Sequence, residues 1–170
     1  RRTVHNITFG GGQESGLRSG TVNVAGAVSL AKALRLSKEK ILETINKHKE
    51  FKKIIIDSIK NNEHFVINSP LQDNFVDSIV NISLPKIKGE AIVNSLNERG
   101  IMVSTTSACS SKTFHLNEAL YARGLSKDNI EGSIRVSFSF ETKIEEVEEF
   151  IDILIDEYNK KFKEVIESGI

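Results

Sequence analysis

Ser133-Ile134-Arg135-Val136-Ser137-Phe138-Ser139-Phe140 is the stretch that decides the fold. Ile134, Val136, Phe138 and Phe140 alternate strictly with Ser133, Arg135, Ser137 and Ser139, which is the period of a strand with one apolar and one polar face. Directly after it, Thr142-Lys143-Ile144-Glu145 reads as a capping box. Ile144, Val147, Ile151, Leu154, Tyr158, Phe162 and Val165 then recur at helical spacing and predict an amphipathic helix of about six turns. A half-buried strand followed by an amphipathic helix needs a layer to pack on, so the pattern points to an α+β arrangement.

The residues before this stretch supply the other elements. Asn117–Arg123 predicts one or two helical turns ended by Gly124, and Ile101–Val103 a brief strand. Gly89–Arg99 predicts a short helix closed by Gly100. In Asp77–Leu84, Ser78, Val80, Ile82 and Leu84 share one face of a strand and Asp77, Ile79, Asn81 and Ser83 the other, while His64–Asn68 reads as a shorter strand ended by Ser69-Pro70. Strands of this half-polar kind, interleaved with helices, predict a small, mainly antiparallel sheet covered by helices on one face. Upstream, the Ala-rich run Val24, Ala25, Ala27, Val28, Leu30, Ala31, Ala33, Leu34 predicts a buried helix that continues through Ile41, Ile45, His48, Ile55 and Ile59. The one candidate boundary falls near residue 60, where this helix stops at Asn61-Asn62. The expected organisation is therefore residues 1–60, with a Gly-rich loop and a connecting helix, followed by a small domain at 61–170.

Composition narrows the function classes. The chain has 170 residues, 39% hydrophobic and 27% charged, with Lys+Arg and Asp+Glu balanced at 23 each. A balanced charge gives no net field toward nucleic acid or an anionic membrane, and no apolar run approaches the roughly 18 residues of a membrane span. The opening Arg1-Arg2-Thr3-Val4 has neither Met nor a charged-then-apolar leader, so a fragment or processed product without a signal peptide is expected. A single Cys rules out an internal disulfide framework and fits a reducing compartment, so the expected setting is cytoplasmic.

Three features could carry chemistry. Cys109 sits in Ser104-Thr-Thr-Ser-Ala-Cys-Ser-Ser-Lys-Thr113, a small, polar run without periodicity. A lone Cys is commonly a small buried hydrophobe, but this one has little apolar company. An exposed loop gives a thiol access, and Lys112 close by would favour the thiolate. Arg135 lies on the polar face of its strand, either as a solvated side chain or as a bidentate fork for a carboxylate. Gly10-Gly-Gly-Gln-Glu-Ser-Gly-Leu-Arg-Ser-Gly-Thr21 is neither a P-loop nor a dinucleotide fingerprint. It ends in Ser19-Gly20-Thr21 just before a helix, where hydroxyls and backbone amides either bind phosphate or simply cap. His5, His48, His64 and His115 have no metal-ligand spacing.

In order and separation, these features resemble the NifS-type cysteine desulfurases of the class V aminotransferase group, pyridoxal-phosphate enzymes of fold type I. Gly10–Val24 is similar to their glycine-rich segment, Ser107-Ala-Cys-Ser-Ser111 to their active-site cysteine loop, and Gly132-Ser-Ile-Arg-Val-Ser137 to the strand that carries their substrate-carboxylate arginine. The resemblance covers nearly the whole chain. It departs at Ser15, where the family often has Arg.

The resemblance implies specific roles. Cys109 is the catalytic nucleophile that takes sulfur from L-cysteine as a persulfide and leaves L-alanine. Arg135 holds the substrate carboxylate. Thr21, with Ser19 and Gly20 shaping its turn beside Arg18, contacts the phosphate of pyridoxal 5'-phosphate, in this family often across a homodimer interface. The sulfur passes to an acceptor protein, either an iron–sulfur scaffold or a tRNA-thiolation enzyme. Residues 1–60 are then the end of a large cofactor-binding domain and 61–170 the C-terminal small domain. The family's Ser-x-His-Lys motif is absent from the sequence, so the expectation is that this polypeptide alone lacks the cofactor-anchoring lysine and is inactive. Two other readings remain open: a non-catalytic sulfur-relay or dimerisation module, and a related selenocysteine lyase or transaminase.

Overall fold

The computed structural model describes residues 4–105 and 118–167. In chain order the elements are α1 (Val24–Ile59), β1 (Val66–Ile67), β2 (Ile79–Ser83), α2 (Gly89–Glu98), β3 (Ser104–Thr105), α3 (Glu118–Ala122), α4 (Lys127–Glu131), β4 (Ser133–Ser137) and α5 (Ile144–Glu167). Compact units divide between Ile41 and Leu42, inside α1 rather than at its end.

In the second unit, the described strands form one four-stranded sheet in the order β1-β2-β4-β3. Every neighbouring pair is antiparallel: Val66 faces Ser83, Asn81 faces Arg135, and Ser104 faces Arg135 from the other side. The fold is α+β with a small antiparallel sheet, as the alternation in Ser133–Phe140 requires.

The apolar face carries Val80, Ile82, Ile134 and Val136, all buried. Phe51, Ile55 and Ile59 from the last turns of α1, Ile92 and Leu96 from α2, and Val147, Phe150, Ile151 and Leu154 from α5 join them in one core. These three helices contribute stripes spaced three and four residues apart, the spacing that keeps side chains on one helix face. His64, Phe65, Tyr158 and Phe162 add an aromatic cluster, with the His64 and Phe162 ring centroids 4.6 Å apart and those of Phe65 and Tyr158 4.9 Å apart.

Several expectations are corrected in detail. The run from Val24 to Leu34 is helical but exposed rather than buried, since among the described residues nothing covers it; burial begins at His48. The third strand is Ser104–Thr105 rather than Ile101–Val103, because its pairing register is set by Arg135 and Ile134. Only half of a capping box forms, and one residue later. Lys143 N donates to Glu146 Oε2 at 2.8 Å, while Thr142 Oγ1 accepts from Ser139 N at 2.9 Å and closes the turn before the helix. Helix α4 was not expected; its Ser126 hydroxyl accepts from Asn129 N and caps a helix too short to show a period.

Part of the polar sheet face is not solvated as its sequence suggests. Asn81, Ser83 and Ser133 are buried. Asn68 Nδ2 donates to Asn81 Oδ1 at 2.6 Å and to Ser83 Oγ at 2.7 Å, and Ser83 Oγ donates to Asn129 O in α4 at 2.6 Å. Asn81 N donates to Ser69 Oγ at 2.8 Å, and Ser133 Oγ to Ile130 O at 2.9 Å. These bonds satisfy groups that would be costly to bury unpaired.

Candidate functional site

The candidate residues fall in both units. In the first, the Gly-rich loop is held by its own polar groups. Ser19 is buried, and its Oγ donates to Gly11 O at 2.7 Å. Gly20 has φ +105°, a conformation open mainly to glycine, and its N–H donates to Gln13 Oε1 at 3.2 Å. Arg18 Nη1 donates to Thr21 O at 3.0 Å, and the Asn6 side-chain amide donates to Gly16 O. Ser15 takes a left-handed backbone with φ +55°.

This arrangement divides the three predicted cofactor contacts. Ser19 and Gly20 use their donors inside the loop and shape it. Thr21 is exposed, and its hydroxyl has no partner among the described residues. Asn23, which the sequence reading passed over, caps α1: its Oδ1 accepts from Gly26 N at 2.9 Å. An Asn immediately before a helical run is the signal that could have found it. Gln13 was missed for a different reason, since a side chain that reaches seven residues along an irregular loop leaves no periodic trace. A free hydroxyl beside a capped helix N-terminus, on a turn fixed by a glycine, is an arrangement that fits a phosphate group.

In the second unit, Arg135 lies on β4, an interior strand paired with β2 through Asn81 and with β3 through Ser104. Its side chain is exposed, and its guanidinium has no hydrogen-bond or ion-pair partner among the described residues. Ladder bonds on both sides fix the backbone that carries it, and its five N–H donors remain available for a planar anion. Strand β3 ends at Thr105. Cys109 follows a few residues later and lies outside the described residues.

His48 and His64 have packing roles. His48 Nε2 lies 3.0 Å from Ser139 O, with its ring 5.7 Å from that of Phe138. Asn46-Lys47-His48-Lys49 has the His-Lys pair but not the Ser of the family's lysine motif, and its histidine is committed to this turn. Lys52 is buried; its Nζ donates to Val76 O at 3.1 Å and stands 3.9 Å from Asp77 Oδ1. Burial pushes the ammonium below the usual lysine range, with Asp77 opposing the shift. Among the described residues no cluster of His, Cys, Asp or Glu could hold a metal ion, and no helix is long and apolar enough to cross a membrane.

Comparison with known proteins agrees with this geometry. The family described as aminotransferase class-V matches residues 2–150. A "NifS/IcsS protein homolog" from Lactobacillus delbrueckii subsp. bulgaricus is 35% identical over 168 residues, 99% of this chain and 43% of that protein. "Cysteine desulfurase IscS 1" from Archaeoglobus fulgidus is 34% identical over 148 residues, 87% of this chain and 38% of that protein. Among solved structures, a "NIFS-LIKE PROTEIN" superposes with a TM-score of 0.77 at 30% identity, covering 93% of this chain and 39% of that one. The chain thus spans about two fifths of the length of the curated relatives it matches. It belongs to the class-V aminotransferase family, and its similarity within that family is to the NifS-type cysteine desulfurases.

Proposed function

We propose that this chain is the part of a pyridoxal-phosphate-dependent cysteine desulfurase that binds the substrate carboxylate and receives the sulfur. The observation that carries the reading is Arg135, an exposed guanidinium without a partner among the described residues, on an interior strand whose neighbour β3 leads in sequence toward Cys109. Arg135 binds the α-carboxylate of L-cysteine as a bidentate pair. The Cys109 thiolate attacks the substrate sulfur, an S–S bond forms as the substrate C–S bond breaks, and the carbon skeleton leaves as L-alanine. The persulfide sulfur then passes to an acceptor protein. Thr21, on the turn fixed by Gly20 and Gln13, would hold the cofactor phosphate, in a homodimer that of the partner subunit. Pyridoxal phosphate, when bound, supplies the electron sink that makes C–S cleavage accessible.

In this reading residues 1–60 are the end of a larger cofactor-binding domain with its Gly-rich loop and the connecting helix, and 61–170 the small domain. The chain by itself is inactive because it contains no lysine in the family's Ser-x-His-Lys context. The setting is cytoplasmic. Joined to the additional residues that its relatives carry, the chain should convert L-cysteine to L-alanine and persulfide, and Cys109→Ala should abolish turnover. Turnover retained in Cys109→Ala would instead support a selenocysteine lyase or transaminase, and no turnover in the joined wild-type protein would support a sulfur-relay module. A stoichiometric, borohydride-sensitive absorbance band in the isolated chain after addition of pyridoxal phosphate would overturn its predicted inactivity.

A further inference from the structure

Arg135 lies in the middle of β4 on the polar face of the sheet, so the acceptors at neighbouring positions bear on it. Asn81 lies directly across from Arg135 in the β2–β4 pairing, so their side chains share a face at neighbouring positions. An asparagine there has a carbonyl oxygen able to accept from the guanidinium. In this structure that oxygen is turned the other way, toward Asn68 beside β1: Asn68 Nδ2 donates to Asn81 Oδ1 at 2.6 Å and is itself anchored to Ser83 Oγ at 2.7 Å. Asn81 Nδ2 in turn donates to Ile134 O at 3.0 Å, the carbonyl immediately before Arg135. Asn68 is held from a third direction by Arg123, whose Nη1 donates to Asn68 O. Asn81 is 8% exposed and Asn68 4%.

A network this buried and this fully paired has one arrangement, since every alternative leaves a polar group unsatisfied in a poorly solvated place. Apolar side chains would fill the same volume without that demand. The feature that apolar residues could not reproduce is the orientation of an amide, with its donor edge on β4 and its acceptor edge turned to Asn68.

We infer that Asn81 is a positioning residue for Arg135, and that Asn68 acts through it by holding the amide oxygen on the β1 side, away from the guanidinium on β4, so that Arg135 stays open to a carboxylate ligand. The inference rests on the reading of Arg135 as a carboxylate site. Asn81 fixes the strand through Ile134 O and presents no competing acceptor.

The test uses the whole chain, sodium acetate as the probe and acetamide as the neutral control, and reads the Arg135 Nε–Hε resonance by NMR, assigned by its loss in Arg135→Lys. In the wild type the resonance should move with acetate and not with acetamide. Asn81→Asp keeps the side-chain shape but places a carboxylate beside Arg135. Its resonance should be displaced before any acetate is added, with the acetate response lost. Asn68→Ala frees the Asn81 oxygen and should weaken apparent acetate affinity about five-fold, the scale of one competing hydrogen bond. Melting curves confirm that each variant is folded. A wild-type response that is unchanged in both variants, with the Asn81→Asp resonance at the wild-type position, overturns the positioning role and leaves the carboxylate reading standing. A wild-type resonance indifferent to acetate overturns the carboxylate reading itself, and the role of Asn81 with it.

Discussion

Gly132 and Leu84 touch backbone to backbone: Leu84 N donates to Gly132 O at 3.0 Å, at the point where β2 and β4 both leave the sheet. A Cβ at Gly132 would meet the carbonyl oxygen of Leu84 and stand 2.9 Å from that of Ile87. Both obstacles are main chain and cannot swing aside. Gly132→Ala should therefore destabilise the second unit by about 2–4 kcal/mol, in the range of other backbone-strain and overpacking defects. Urea denaturation measures it; a loss within about 0.5 kcal/mol, the range of an ordinary surface substitution, would contradict the close approach.

Tyr158 gives the opposite sign. Its ring is fully buried in the aromatic cluster, and its hydroxyl has no hydrogen-bond partner among the described residues. Removing an unsatisfied buried hydroxyl recovers its desolvation cost. Tyr158→Phe should leave the melting temperature unchanged or raise it, whereas Tyr158→Ala should cost about 3–5 kcal/mol as a large-to-small core change. A clear fall in stability for the Phe variant would mean that the hydroxyl has a partner.

Ser83 tests the polar face. Its hydroxyl accepts from Asn68 and donates to Asn129 O, so Ser83→Ala takes one partner from buried Asn68 and one from half-buried Asn129. A loss of about 1–3 kcal/mol is expected, measured by thermal or chemical unfolding, and a neutral result would show that this face is wet.

Two charged groups act in different pH windows. The Lys53 and Lys60 ammoniums hold the exposed Asp57 carboxyl down at about 2. A depressed carboxyl contributes stability that is present above the unfolded carboxylate range and is lost as the pH falls toward 2. Asp57→Asn should flatten the stability profile between about pH 4 and 2, by a small amount because the pairs are exposed and screened. Buried Lys52 is also depressed, by burial with Asp77 opposing, so its slope has the same sign in a higher pH window. The unfolded chain then holds the proton to higher pH than the folded one, so stability rises with pH up to the ordinary lysine range. Lys52→Met should remove that alkaline rise, and a variant whose alkaline profile still matches the wild type would exclude Lys52 as its source.

The core lies in the second unit, so that unit should not depend on the first. A polypeptide of residues 42–170 should melt cooperatively within a few degrees of the whole chain, as followed by calorimetry. Failure to fold would mean that residues before Leu42 are needed for the core.

Much of this was legible because strong periods speak for themselves. The alternation through Ile134 and Val136 gave both the strand and its buried face, and the spacing of Val147, Ile151, Leu154 and Tyr158 gave α5. Arg135 could be singled out because a charged residue flanked by serines on such a strand is conspicuous. What stayed hidden were relations between distant segments. Asn68 and Asn81 read as ordinary strand-end and strand residues until the β1–β2 pairing brings them together, and nothing local announces that Ser83 is covered by α4. The division of labour among Ser19, Gly20 and Thr21 was equally invisible, since it depends on which donors the loop uses on itself through Gln13 and Gly11.

Helix α1 shows two behaviours along one rod. From Val24 to Leu42 every side chain is exposed, Val28, Leu30 and Leu34 among them, while Phe51, Lys52, Ile55 and Ile59 are locked into the core. Most helical stability in proteins comes from packing of one face, so in the isolated chain the unpacked early turns should open more readily than the late turns, which belong to the cooperative fold. Amide protons along this single element should grade from seconds-scale exchange near Ala27 to exchange only through global opening near Ile55. The helix would then be a continuous ladder of hydrogen bonds whose rungs differ in lifetime by orders of magnitude.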